Sequence, residues 1–183
     1  MRSPLLLSMA AYWCLAVTAQ AAEVRYRLTA ANTKLEFTGT KPGGKHDGGF
    51  KRVSGLIMLA DGVEPQVTVE IDCTALYSDN MLLTWHLKGA DFLNVKKHPQ
   101  ANFTSTSVRR SETGYVVSGK LTLLGVTVPV SFPATMTSGD VIRLQGTCVL
   151  HRRDFGMTYG KDKIDDNVEV RFDVNAARES ATD

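Results

Sequence analysis

Apolar and polar residues alternate with a period of two along most of this chain, and a single helical stretch interrupts the pattern. Val24, Tyr26 and Leu28 alternate with Arg25 and Arg27, and Leu35 and Phe37 alternate with Lys34, Glu36 and Thr38. Near the other end, Val168, Val170, Phe172 and Val174 alternate with Glu169, Arg171 and Asp173. Successive side chains of a strand point to opposite faces, so each segment buries one face and wets the other, as antiparallel sheets allow. Further strands are expected over residues 50–60, 67–73, 101–108, 115–124, 126–136 and 141–150, separated by glycine, proline and aspartate turn signals. The sum is eight or so strands. Such a set stacks as a sandwich or closes into a barrel, and closure removes exposed edges.

The interruption runs from Ser78 to Val108. Ser78 or Asp79 can cap a helix in which Met81, Leu82, Trp85 and His86 recur at three- and four-residue spacing. Gly89 can end it in the left-handed conformation, and His98-Pro99 returns the chain to extended geometry. One short apolar helix in a β protein either plugs the end of a barrel or covers an open sheet. The glycine-rich connection from Thr40 to Gly49 lacks the arrangement of a phosphate-cradling loop and leads into a strand. It reads as a flexible rim over a ligand mouth or as a long hairpin loop. Gly55 suggests a bulge at a barrel bend, and Pro129 and Pro133 suggest an edge, a bulge or an irregular rim.

Arg2, the apolar run over residues 5–17 and Ala19-Gln20-Ala21 read as an export signal over residues 1–21. The expected residence is periplasmic or secreted, after cleavage near Ala21. No later segment has the apolar length of a transmembrane helix. One domain is expected over residues 22–175, followed by a polar tail over 176–183 with no reason to be ordered. Lys and Arg number 21 against 19 Asp and Glu, without a long basic block, which disfavours nucleic acid as a partner. Beyond the signal, the cysteines are Cys73 and Cys148, each continuing an apolar face. An oxidising compartment permits a disulfide between them; the alternative is two separate buried thiols.

Little points to chemistry. His46, His86, His98 and His151 lack the short matched spacings of a zinc site, so no metal is expected. No nucleophile motif is present, Cys148 sits in an apolar strand, and Asp91 and Asp154 fit as turn or cap residues.

Three segments carry a resemblance. They are His86, Asp91-Phe92, Pro99, Phe103 and Thr104-Ser105-Thr106; then Gly119 to Val126 with Pro129-Val130; then Arg153-Asp154-Phe155-Gly156. In order and approximate spacing they resemble the YceI family of secreted bacterial lipocalin-like proteins, over roughly Tyr26 to Val174. The resemblance implies an all-β fold with one short helix, an extended eight-stranded antiparallel lipocalin-like barrel. It implies an exported carrier of a long-chain amphiphile: an isoprenoid, a polyprenyl phosphate or quinone, or a fatty-acid derivative. On that fold Phe37, Phe50, Leu83, Trp85, Phe92, Phe103, Leu121, Phe132 and Phe155 are the residues expected to line the tunnel, with Trp85 narrowing it. Lys41, His46 and Arg153 are expected to meet a head group at its mouth. The resemblance implies no enzyme activity and no cofactor, and it leaves a homodimer open. Two rivals remain: a structural or stress-response protein with a filled core, and an enzyme acting on a small amphiphile through His46, Asp91 or His86.

Overall fold

Pairing between alternating strands builds the molecule, a computed structural model that describes residues 23–180 apart from Gly62. The expected export signal lies outside the described residues. Among those residues the strands are β1 (Glu23–Leu28), β2 (Thr33–Lys41), β3 (Gly44–Phe50), β4 (Val53–Ala60), β5 (Val63–Asp72), β6 (Leu76–Ser78), β7 (Gln100–Ser111), β8 (Gly114–Leu123), β9 (Val126–Thr137), β10 (Val141–His151) and β11 (Asn167–Ala177). They form one antiparallel sheet in the order β1-β4-β5-β7-β8-β9-β10-β11-β2-β3-β6. The sheet curls so that its β1 edge meets the C-terminal end of β11: Arg178 bridges Tyr26 of β1, and the Glu179 N–H donates to the Arg25 carbonyl at 2.8 Å. One helix, α1 (Met81–Lys88), follows β6.

The expected class, all-β with one short helix, is observed, with eleven strands where about eight were expected. The extra strands come from sequence that does not alternate. The stretch from Thr40 to Gly49 is no loop: β2 and β3 pair from Glu36↔Gly49 to Lys41↔Gly44, joined by a tight turn at Pro42-Gly43. Phe50 ends β3 instead of opening the next strand, and β6 is three residues that pair only with β3. Gly55 is not a bulge. It pairs regularly with Val69, and the register shift lies between Met58 and Ala60. The glycine is needed because a Cβ there would collide with the Thr68 carbonyl oxygen.

The hairpin around Leu124-Gly125 forms as expected, with φ of 56° and 78°, the positive pair of a type I′ turn. The prolines of β9 mark an irregular edge. β9 pairs with β8 from Tyr115↔Ala134 to Leu123↔Val126, but with β10 only from Ala134 to Thr137. Pro129 and Pro133 lie in the stretch without a β10 partner, where a missing N–H costs no ladder bond.

Residues 176–180 correct the expected tail, whose last three residues lie outside the described ones. Ala176 is buried, β11 continues to Ala177, and Arg27 donates to the Glu179 carboxylate at 2.6 Å. Packing against β1 supplies the reason for order that the polar composition lacked.

Replacing Gly55 with alanine should therefore force β4 and β5 apart. The expected loss is about 1–3 kcal/mol, read as a lower urea midpoint at unchanged slope.

Candidate functional site

The curled sheet encloses a cavity of about 360 Å³, within the range of roughly 300–1,000 Å³ typical of small-molecule sites. Its floor is sealed by a core that includes Tyr26, Leu28, Ile57, Val117 and Ile142. Tyr26 is buried and its hydroxyl donates to the Gly139 carbonyl at 2.6 Å, so the polar atom is satisfied at the closed end. The opposite end is covered by α1, by the 89–99 loop and by the 156–166 loop. Leu83 and Leu87 of α1, with Phe92 and Leu93, form the underside of that cover.

Glycine opposite phenylalanine makes the walls. A Cβ at Gly119 would lie 2.5 Å from the Phe103 ring, one at Gly146 would lie 2.5 Å from the Phe172 ring, and one at Gly48 would collide with the Phe37 ring. Each ring lies against backbone that has no side chain, which is room the sheet creates only with glycine there. Phe132 packs between Phe103 and Phe172, with ring centroids 5.7 and 5.3 Å away.

The structure brings Phe37, Phe50, Leu83, Phe92, Phe103, Leu121, Phe132 and Phe155 to this cavity. Trp85 is a correction. It is 74% exposed and points away from the lumen, because the inward face of α1 is carried by Leu83 and Leu87. The helix is capped by Asn80, whose side chain accepts from the Leu83 N–H at 3.0 Å, and not by Ser78 or Asp79. Gly89 ends it in an extended conformation, with φ of −73°. Phe172, Met157, Ile164 and Leu87 also line the cavity and were missed in the sequence. The alternation in β11 shows Phe172 facing inward but does not separate core from lumen; Met157 and Ile164 sit in a loop with no periodicity.

The mouth is polar and largely self-paired. Lys41 and His46 border the cavity, as expected. Lys41 has no ion-pair partner among the described residues. His46 Nδ1 is 3.1 Å from Asp79 Oδ1, and Asp79 also accepts from the Asp47 backbone N–H at 3.1 Å. That backbone bond, then the His46 contact, holds the Asp79 carboxyl below its usual range. Asp47 is likewise lowered, first by the Thr38 hydroxyl and then by Lys45.

Arg153 is a second correction. Its guanidinium donates to Asp166 Oδ1 at 2.7 Å and does not border the cavity. The neighbour, Arg152, does border it and is 2% exposed. Its Nε donates to the Asp165 carbonyl, Nη1 to the Met157 and Tyr159 carbonyls and Nη2 to the Ile164 carbonyl, and Nη2 forms an ion pair with Asp166 at 2.9 Å. Four carbonyls and one carboxylate thus surround the guanidinium, which is committed to the loop and not to a ligand. Arg152 is the post on which the 156–166 loop is folded.

The two remaining histidine–carboxylate pairs are also at this end. His86 Nε2 is 2.9 Å from Asp91 Oδ2, and His151 Nδ1 is 3.5 Å from Asp154. The His86 ring stands edge-on to Phe92 and Tyr159, at 5.0 and 4.7 Å between centroids. No Ser, Thr or Cys side chain bonds to any of these histidines among the described residues.

Cys73 and Cys148 are free, buried thiols and not a disulfide. Cys73 lies in the short turn after β5 and Cys148 in β10, with β7, β8 and β9 between those strands in the sheet. Burial pushes both thiols up to about 11.

A barrel-like antiparallel shell with a floor of packed side chains, an apolar lumen and a helical cover is the lipocalin-like architecture. The chain belongs to the YceI-like domain family, whose pattern matches residues 26–176. A UPF0312 protein from Pectobacterium atrosepticum is 35% identical over 123 residues, 62% of this chain. The match spans 63% of that protein's length. Among solved structures, BcnA of Burkholderia cenocepacia superimposes with a TM-score of 0.74 at 22% identity, over 81% of this chain and 98% of that one. A polyisoprenoid binding domain from Saccharophagus degradans, implicated in plant cell wall breakdown, superimposes with a TM-score of 0.63 at 15% identity, over 87% and 100%. At these identities the two structures speak to the fold.

Two outcomes follow from the site. Arg152→Lys keeps the charge but has too few donors for the four carbonyls and Asp166, and should cost about 1–3 kcal/mol, with the 156–166 loop becoming the first site of limited proteolysis. Native protein at mildly alkaline pH should react with an aromatic disulfide reagent only after denaturation, because burial keeps both cysteines as thiols.

Proposed function

We propose that this protein is an exported carrier that holds a long-chain amphiphile, its tail in the lumen and its head at the mouth near Lys41 and His46. The observation that carries the reading is the distribution of polarity in the cavity. Its walls are apolar through their length, and its charged side chains, apart from the loop-bound Arg152, are grouped at one end around Lys41, His46 and Asp165. A filled core would leave no such space, and a site for a small polar substrate would place polar groups deeper. Burying a chain is worth about 0.8 kcal/mol per CH₂, so ten carbons supply enough for roughly micromolar binding after ordering costs.

An isoprenoid, such as a polyprenyl phosphate or a quinone, is the first candidate ligand, and the Saccharophagus polyisoprenoid binding domain with the same fold supports that choice. A fatty-acid derivative satisfies the same apolar walls. No covalent chemistry is assigned to the site, since the histidines at the rim are engaged by carboxylates and by aromatic edges. The residue pattern over 1–21 supports export to the periplasm or beyond the cell.

Mass spectrometry of an organic extract of freshly exported protein tests this directly. A stoichiometric prenyl or acyl species is expected. Val170→Trp, which adds an indole to the cavity wall, should lose that species while keeping the native circular dichroism. An empty extract, repeated after incubation with total membrane lipid, would overturn the carrier reading in favour of an unoccupied or structural role.

A further inference from the structure

The two faces of α1 do different things. Leu83 and Leu87, one turn apart, point into the lumen. Met81, Leu82 and Trp85 are 75%, 77% and 74% exposed, the highest values among the large apolar residues described. Spacings of three and four residues put these three on one face. Nothing in the fold requires them to be apolar. The helix is held by the Asn80 cap, by its inward leucines and by backbone bonds from the following loop, including Leu93 N–H to the Leu87 carbonyl at 3.0 Å. Tyr159, 46% exposed, stands beside the helix with its ring against His86 and widens the patch across the mouth.

Among the described residues the cations around this face are unpaired, whereas the flanking carboxylates Asp79 and Asp91 each contact a histidine. The eight residues of α1 include no carboxylate. Lys88 follows Trp85 at helical spacing, and its carbonyl accepts from Val95 at 3.1 Å, which ties the loop bearing Lys96 and Lys97 to the same end of the helix. None of these three lysines has a carboxylate partner among the described residues, whereas the nearby Asp91 is engaged by His86.

We infer that this face docks the protein on an anionic lipid bilayer. Met81, Leu82 and Trp85 enter the interfacial region, and Lys88, Lys96 and Lys97 meet lipid phosphates. Indole and lysine are the side chains that combine an apolar body with a polar end suited to that depth. A second copy of the chain is the poorer occupant: three side chains offer roughly a few hundred Å², against the roughly 800 Å² per partner of a stable dimer. Because the underside of the same helix covers the lumen, docking turns the mouth of the cavity toward the membrane. The inference goes beyond the carrier reading and does not depend on what the lumen holds.

Trp85 reports on it. The chain has two tryptophans, and Trp13 lies in the expected export signal, so Trp85 is the single one in the exported protein. The probe is phosphatidylcholine vesicles with and without phosphatidylglycerol, together with brominated lipids as quenchers. With phosphatidylglycerol present, Trp85 emission should shift to the blue and be quenched by the brominated lipids. The double variant Met81→Ser, Leu82→Ser should partition at least about tenfold more weakly, and Lys96→Gln or Lys97→Gln about fivefold more weakly each. These residues are exposed, so unchanged thermal unfolding of each variant serves as the fold control. Emission that stays unshifted with phosphatidylglycerol vesicles overturns the inference. So does a blue shift that grows with protein concentration without vesicles, since that assigns the face to a second copy. Ligand extraction is read on separate samples, so failure of docking and failure of the carrier reading are distinguishable.

Discussion

Room for aromatic rings inside a curled sheet depends on glycine in the neighbouring strand. Gly48, Gly119 and Gly146 present bare backbone to Phe37, Phe103 and Phe172, and a methyl group at any of them would push a ring into the lumen. The rest of the architecture follows from that arrangement. Large rings supply apolar wall area, glycines let them lie against the sheet, and space is left along the axis. With β-branched residues in place of the glycines, the same strands would hold the rings farther inward and the interior would be full. Phe132, packed between Phe103 and Phe172, links two of these walls.

The open end is organised by polar chemistry instead. Arg152 donates to four carbonyls of the 156–166 loop and forms an ion pair with Asp166. Asp79 joins β3 to the approach of α1 through the Asp47 N–H and His46. Breaking a buried, hydrogen-bonded charge network is costly, so the mouth keeps its shape while lined by loops. A charged residue bordering an apolar cavity thus acts as scaffold, and the donors left facing the cavity are those of the mouth, Lys41 and His46.

Legibility in the sequence followed periodicity. The strands of alternating residues, the turn at Leu124-Gly125, the irregular edge at Pro129 and Pro133 and the existence of α1 were all readable, because each rests on a local rule. β3 was not, since Gly44 to Gly49 has no apolar alternation; its pairing comes from β2 and β6 and from the ring of Phe37. Trp85 shows the limit most clearly. Helical spacing puts Met81, Leu82 and Trp85 on one face, and hydrophobicity says that face is inward. The fold turns inward Leu83, as expected, together with Leu87, whose spacing is equally helical, and leaves Trp85 outside. Arg152 and Arg153 pose the same problem: adjacent residues of identical chemistry, separated only by which one the loop wraps. Large aromatic residues were readable as inward-facing, but lining and filling differ by the cross-strand glycine, which depends on register.

The partial pairing of β9 has a mechanical consequence. From Val126 to Pro133 the strand is bonded on one side only, and two of its positions have no donor to offer. A closed cylinder can widen only by breaking the ladder between at least one pair of its strands. This wall instead has a compliant seam between β9 and the upper part of β10, where Phe155 and its turn rest against β9 by side-chain packing alone. Separation along that line would therefore break no backbone bond of the sheet, which sets this flank of the lumen apart from walls laddered on both sides.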